Sequence, residues 1–243
     1  MPGTYFVSDL HLGLQEAEAE QLKLDRMEQL CSLIKEKGSA LYLLGDIFDY
    51  WMEYRHVIPK GFTRFLCMLS DLTRHGIAVS YHAGNHDFFL GRYFDEELGV
   101  KTFHGLQEVG IDGRVFMLAH GDGLGEGDIG YKLFARLVRN RFNLGLLTGF
   151  HPDLATALMK KLSRLSRDHK PVDRVRDSGR LLHFASSLAQ KKGFDYFVCG
   201  HNHVEKIQVL DDSGRCYVNL GTWIDGQYPY GLFDQGRFQI RYV

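Results

Sequence analysis

The chain has 243 residues, 44% hydrophobic and 24% charged, with a formal net charge of −1. That composition is ordinary for a globular protein, the length suits one large domain or two small ones, and the charge excludes nothing except a broadly polycationic surface for nucleic acid. Four cysteines, Cys31, Cys67, Cys199 and Cys216, stand far apart with no CxxC pair, which excludes a zinc ribbon or a dithiol redox motif and suits reduced thiols in a cytoplasm.

The N-terminus has no basic stretch followed by a long apolar one, so no leader peptide is expected. No window approaches the roughly 20 apolar residues that span a bilayer.

Residues 4–7 form a β-rich run that ends in Ser8-Asp9-Leu10-His11. Over 17–37, Leu22, Met27, Leu30, Cys31 and Ile34 recur at helical spacing, and Gly38 is expected to close that helix. A second apolar strand, 40–44, ends in Gly45-Asp46-Ile47-Phe48-Asp49. A loop through Pro59 leads to a helix over about 62–75, ended by Gly76. A third strand, 77–83, delivers Gly84-Asn85-His86-Asp87. This β-α-β-α-β order implies parallel strands with right-handed crossovers, an α/β core. A short helix or turn follows Tyr93. Strands are then predicted at 100–103, at 106–111 with a turn at Asp112-Gly113, and at 115–119, the last ending in His120-Gly121-Asp122. A strand at 194–199 ends in Gly200-His201-Asn202-His203. The tail alternates as antiparallel hairpins over 206–210, 216–220 and 238–242.

Five strand ends thus carry Asp9 and His11, Asp46, Asn85 and His86, His120, and His201 and His203. Ligand sites of open α/β sheets lie beyond the carboxyl ends of their strands, so these groups converge. Asp-x-His and His-x-His skip one residue, which turns both side chains to one side. Oxygen and imidazole donors without thiolate suit Mn, Fe, Co or Zn. Seven ligands exceed what one such ion needs and suit two ions about 3.5–4 Å apart, with Asp46 as the bridge. Asp49 and Asp87 are candidates to orient ligands or cap turns. His56, His75, His104, His151, His169 and His183 have no motif around them, and His82 is assigned no role.

The ordered set D-x-H, GD-x-x-D, GNHD, HGD, GHNH resembles the calcineurin-like metallophosphoesterase family over residues 9–203. That resemblance implies a four-layer fold, a β-sheet sandwich flanked by helices. It also implies one metal on Asp9, His11, Asp46 and His203, a second on Asp46, Asn85, His120 and His201, and His86 facing the scissile phosphate.

Residues 123–193 read as a helical insertion within a single domain, 1–243, and far exceed the dozen or so residues that a crossover needs. Tyr131, Phe134, Ala135 and Val138 mark one helical face, and Leu154, Leu158, Leu162 and Leu165 another. Between 131 and 180 stand twelve Lys or Arg and four Asp or Glu, net +8. A basic amphipathic insertion beside such a site suggests a cap over an anionic, partly apolar substrate, or an interfacial element.

With GD-x-F-D-x-W at 45–51, HGD-x-L followed by Asp128 and Tyr131, and Asn-x-Gly-x-Trp at 219–223, the chain is similar to the UDP-2,3-diacylglucosamine pyrophosphatase branch of lipid A biosynthesis. That branch implies cleavage to UMP and 2,3-diacylglucosamine 1-phosphate, with Mn2+ as cofactor. It also implies a nucleotide-lipid substrate and peripheral contact with the cytoplasmic face of the inner membrane. Asn85, Asp128 and Tyr131 would touch substrate, with Arg164, Arg167 and Lys170 on its phosphate or glucosamine side. His86 stands where many enzymes of that branch carry arginine, and Thr222 where an acidic residue often occurs. The alternatives are a general phosphoesterase for nucleotides, phosphodiesters or phosphoproteins, and a non-catalytic metal-binding scaffold.

Overall fold

β1 (Gly3–Val7) is buried at all five positions, as a strand covered on both faces must be. Its alternation divides the core: Tyr5 and Val7 enter one hydrophobic cluster and Phe6 another, because successive side chains point to opposite faces. The computed structural model describes residues 2–125, 151–154 and 174–243, with side chains of the last stretch from residue 179 onward.

After β1 come α1 (Ala17–Lys37), β2 (Gly38–Leu43), β3 (Trp51–Met52), α2 (Thr63–Arg74), β4 (Ala78–His82), β5 (Asp87–Phe89), α3 (Tyr93–Leu98) and β6 (Lys101–Phe103). The hairpin β7 (Gln107–Ile111) and β8 (Arg114–Leu118) follows, then α4 (Arg174–Lys191) and β9 (Tyr196–Cys199). The tail holds β10 (Lys206–Val209), β11 (Cys216–Asn219), β12 (Pro229–Asp234) and β13 (Arg237–Tyr242).

Among the described residues two large sheets result, ordered β13-β12-β1-β2-β4-β6 and β10-β11-β9-β8-β7, and β3 and β5 pair as a small parallel sheet of their own. β1, β2, β4 and β6 pair in parallel, as do β8, β9 and β11. The sheets meet face to face through Phe6, Leu44, Phe116, Leu118, Val198, Val218 and Phe233, with the Phe6 and Phe116 rings stacked at 5.8 Å. α1 and α2 cover the outer face of the first sheet through Met27, Leu30, Ile34, Phe65, Leu69 and Leu72. Leu181, Ala185 and Ala189 of α4 cover the second against Met117, Phe197 and Tyr217. This helix–sheet–sheet–helix stack is the expected four-layer architecture.

Three details differ from the sequence expectations. The buried stripe of α1 is Lys23, Met27, Leu30, Cys31 and Ile34, and Leu22 is 43% exposed. Gly38 closes α1 as expected, its N–H donating to the Ile34 carbonyl, but not in the left-handed turn common for a capping glycine. It is extended (φ −102°, ψ 163°) and already the first residue of β2. Glycine is needed there for space, since a Cβ would lie 2.8 Å from the Ile34 carbonyl oxygen. β12 was not anticipated; it joins β13 through Gln235 and Gly236, both at positive φ, as a two-residue hairpin turn requires.

Within the predicted insertion, α4 is the crossover helix between parallel β8 and β9. The helical faces at 131–138 and 158–165 lie outside the described residues. Among the described residues no helix is long and apolar enough to cross a membrane.

Candidate metal centre

Five parallel strands end at one place. β1 runs into Asp9 and His11, β2 into Asp46, β4 into Asn85 and His86, β8 into His120, and β9 into His201 and His203. Five of the seven predicted ligands have left-handed backbone: Asp9 (φ 54°), His11 (46°), Asp46 (52°), His201 (75°) and His203 (58°). Non-glycine residues adopt positive φ only a few per cent of the time. Such a concentration is strain held by the surroundings, of a kind that gathers at functional sites.

The holding contacts are explicit. Asp9 N–H donates to the Gly45 carbonyl (3.1 Å) and His11 N–H to that of Asp46 (3.0 Å), so the first two ligand loops run side by side. Asp9 carboxylate oxygens accept the His201 N–H at 3.0 and 3.2 Å. Asp87 Oδ2 accepts the N–H groups of Asp46 (2.8 Å) and Gly84 (2.9 Å), and its Oδ1 accepts Tyr81 O–H (2.7 Å). Asp87 therefore ties two ligand loops together through backbone rather than orienting a histidine. Burial and the nearby Asp46 charge push its carboxyl up to about 6. The tail backs the site: Thr222 Oγ1–H and Trp223 N–H both donate to the Asp9 carbonyl (3.1 Å each), and Asn219 Nδ2 to that of Gly200 (2.6 Å).

Close approach explains two glycines of the motifs. A Cβ on Gly84 would lie 2.3 Å from Asp46 Oδ1, and one on Gly200 would lie 2.1 Å from Asp9 Oδ2. Any side chain there would displace a ligand carboxylate.

The ligand atoms fall into two groups. In the first, His203 Nε2 lies 3.1 Å from Asp9 Oδ1 and 3.2 Å from His11 Nε2. In the second, Asn85 Oδ1 lies 2.9 Å from His201 Nδ1 and 3.2 Å from His120 Nε2, and His120 Nε2 is 3.2 Å from Asp46 Oδ2. Asp46 Oδ2 also reaches the first group, 3.7 Å from His11 Nε2. With metal–ligand distances of about 2.0–2.2 Å, two ligands at a right angle on one ion sit about 3 Å apart. The spacing of both groups fits first-row divalent ions. His86 joins a third ligand-competent group with His11 and Asp46, beyond the phosphate-facing role expected of it.

The electrostatics agree with cations. Burial would raise the carboxyls of Asp9 and Asp46, yet the histidines around them hold both well below the usual range. Burial alone would lower His120, but the charge and hydrogen bond of Asp46 raise it to about 10, so the buried carboxylates draw positive charge to that position. His201 is pushed down to about 4 by burial and by His120. His120 also places Nδ1 2.9 Å from the Leu44 carbonyl, which turns Nε2 toward the centre.

Beside the centre opens a cavity of about 330 Å³ walled by Leu12, Asp49, Tyr50, Tyr54, Ile58 and Phe62. His86 borders it through Asp49: its Nδ1 is 2.9 Å from the Asp49 carbonyl and 3.6 Å from Oδ1. Asp128, Tyr131, Arg164, Arg167 and Lys170 lie outside the described residues. One contributor had no motif to announce it. Lys23, buried in α1, reaches the first ligand loop; the only sequence signal is that it lies four residues before Met27 on the buried stripe.

A family model described as calcineurin-like phosphoesterase matches residues 4–205. The chain is 33% identical over 237 residues to a UDP-2,3-diacylglucosamine hydrolase of Porphyromonas gingivalis, with 90% of each chain covered. It is 30% identical over 229 residues to a UDP-2,3-diacylglucosamine hydrolase of Neisseria meningitidis serogroup B, covering 92% of this chain and 90% of that one. Among solved structures it resembles an archaeal phosphodiesterase in fold, with a TM-score of 0.51, 12% identity and 99% of both chains covered.

Proposed function

The chain belongs to the calcineurin-like phosphoesterase family and is a hydrolase, and from that premise we propose that it cleaves the pyrophosphate bond of UDP-2,3-diacylglucosamine, releasing UMP and 2,3-diacylglucosamine 1-phosphate. The observation that carries the chemistry is Asp46 Oδ2, set between two ligand groups, 3.2 Å from His120 Nε2 and 3.7 Å from His11 Nε2. That is the position of a bridging carboxylate. The full-length relatives and the apolar wall of the adjacent cavity support the lipid substrate.

Asp9, His11, Asp46 and His203 would hold one divalent ion, and Asp46, Asn85, His120 and His201 the other, with Mn2+ as the first choice and Fe, Co or Zn as the others such donors suit. When bound, the ions supply Lewis-acid stabilisation of phosphoryl oxygens and a lowered pKa for water. The protein's own part is positional. The strained loops keep seven donors aimed at one place, so little reorganisation is needed when charge develops. His86 donates Nδ1–H to the Asp49 carbonyl. In the imidazolium form its Nε2–H would donate to a phosphoryl oxygen or pass its proton to the leaving oxygen. Asn85, Asp128 and Tyr131 would contact the nucleotide or sugar, and Arg164, Arg167 and Lys170 the phosphates. The part of the 123–193 insertion that precedes α4 would form the cap, and its basic character would favour the cytoplasmic face of the inner membrane.

The test compares purified protein on UDP-2,3-diacylglucosamine and on a simple phosphodiester such as bis-p-nitrophenyl phosphate. Mn2+-stimulated UMP release is expected, and Asp46→Ala is expected to lose at least about 100-fold in rate. Good turnover of the simple diester without UMP release would establish the general phosphoesterase instead, the reading that the GNHD form of the motif favours. Metal binding without hydrolysis of either would leave the scaffold.

A further inference from the structure

Lys23 is 1% exposed, in the middle of α1. Lysine is almost never buried without partners, and all three of its ammonium protons have one. Nζ lies 3.0 Å from the Leu10 carbonyl, 3.1 Å from the His11 carbonyl and 2.6 Å from Glu20 Oε1. Glu20 in turn accepts the N–H of Gly13 on Oε2 (2.8 Å) and of Gln15 on Oε1 (3.0 Å). One ion pair, an i,i+3 pair on a single helix, thus grips four points of the loop 10–15: Leu10, His11, Gly13 and Gln15.

That loop carries one of the strained predicted ligands, His11, and follows directly on another, Asp9. His11 also differs from His120 and His86 in how its ring is held. Those two anchor Nδ1 on backbone carbonyls. His11 Nδ1 is buried with no hydrogen-bond partner among the described residues. The usual anchor of a ligand histidine, a hydrogen bond from its second ring nitrogen, is replaced here by a grip on the backbone of the same residue.

We propose that Lys23, braced by Glu20, is a positioning residue for the metal centre. It holds the Asp9–His11 loop in its left-handed conformation, so that both side chains meet His203 at one ion. The inference rests on the two-metal reading above and concerns the ion on Asp9, His11 and His203. The partners are backbone carbonyls, so a methionine of similar length removes the grip while still filling the helix face.

The test titrates metal-stripped protein with Mn2+ alone, with stoichiometry and affinity read by calorimetry and by electron paramagnetic resonance of free Mn2+. In Lys23→Met one of two Mn2+ ions is expected to weaken by about 10–100-fold while the other keeps its affinity. Glu20→Ala, which leaves Lys23 in place, is expected to weaken the same ion by a smaller factor. Met27→Ala is the control: it sits one turn further along the same buried stripe and lowers stability without removing a hydrogen bond to the loop, and both ions should bind as in the parent. Equal affinities in parent, Lys23→Met and Glu20→Ala overturn the proposal, as does an equal weakening in Met27→Ala. Should Lys23→Met not fold, the comparison of Glu20→Ala with Met27→Ala decides. A parent chain that binds no Mn2+ overturns the metal reading itself, and this inference with it.

Discussion

His82 shows how burial acts on a single residue with no site to serve. It ends β4, is 1% exposed, stacks on Phe103 at 5.2 Å and has neither ring nitrogen paired. Burial, with a smaller contribution from the charge of His104, pushes it down to about 4. The folded pKa lies below the unfolded value, about 6.5. The unfolded chain therefore binds the proton first, and the stability due to neutral His82 is complete above about pH 6.5 and lost as pH falls toward 4. The shift corresponds to on the order of 3 kcal/mol. His82→Leu should accordingly gain on the parent by about that much between pH 7 and pH 4, measured by urea unfolding across the series. Parallel stability curves for the two proteins would contradict it. The same burial acts on His201 beside His120, but there the ring has a polar partner, Asn85 Oδ1 at 2.9 Å from Nδ1.

At the scale of the element, α1 separates what a pattern specifies from what packing decides. The spacing of Met27, Leu30, Cys31 and Ile34 predicts a helix and its buried side. Extended one turn toward the N-terminus, the stripe meets Leu22 and Lys23 side by side, and hydrophobicity favours Leu22. The structure buries Lys23 instead, because 23, 27, 30, 31 and 34 keep the i, i+4, i+7, i+8 rule and because the loop carbonyls of Leu10 and His11 wait at that end. Leu22→Glu is therefore expected to change stability by less than about 0.5 kcal/mol. Leu30→Ala, at a position 1% exposed, should cost about 2–5 kcal/mol. Chemical unfolding of the two variants checks both, and a large loss in Leu22→Glu would put the helix in the wrong phase.

At the scale of the whole molecule, the centre joins both sheets. Asp9, Asp46 and Asn85 come from the first, and His120, His201 and His203 from the second. An ion bound there ties the layers together and binds the folded chain only. Bound at 100 times its dissociation constant, one ion stabilises by about 2.7 kcal/mol, which for a chain of this size raises Tm by roughly 5–10 °C. Melting curves in Mn2+ and in EDTA should differ by at least that much, and identical curves would speak against ions at this position.

The sequence alone was enough for the strand ends and the donor types, since a strand's period and its terminal motif are local properties. Asp9, His11, Asp46, Asn85, His120, His201 and His203 could be read as one set because each follows an apolar run in an order that open sheets bring together. The parallel core followed from the same alternation, and the four layers from the family resemblance. Only the tertiary structure gave the distances between donor atoms, since those depend on two sheets facing each other across Phe6 and Phe116. It set Asp46 Oδ2 within 3.7 Å of His11 and 3.2 Å of His120, showed that Gly84 and Gly200 are glycines for want of room beside Asp46 and Asp9, and put the tail turn at Thr222 and Trp223 behind Asp9. Lys23 belongs with these. Its residue type argues for the surface, and only the buried carbonyls of a strained loop, contributed by another element, make the interior its place.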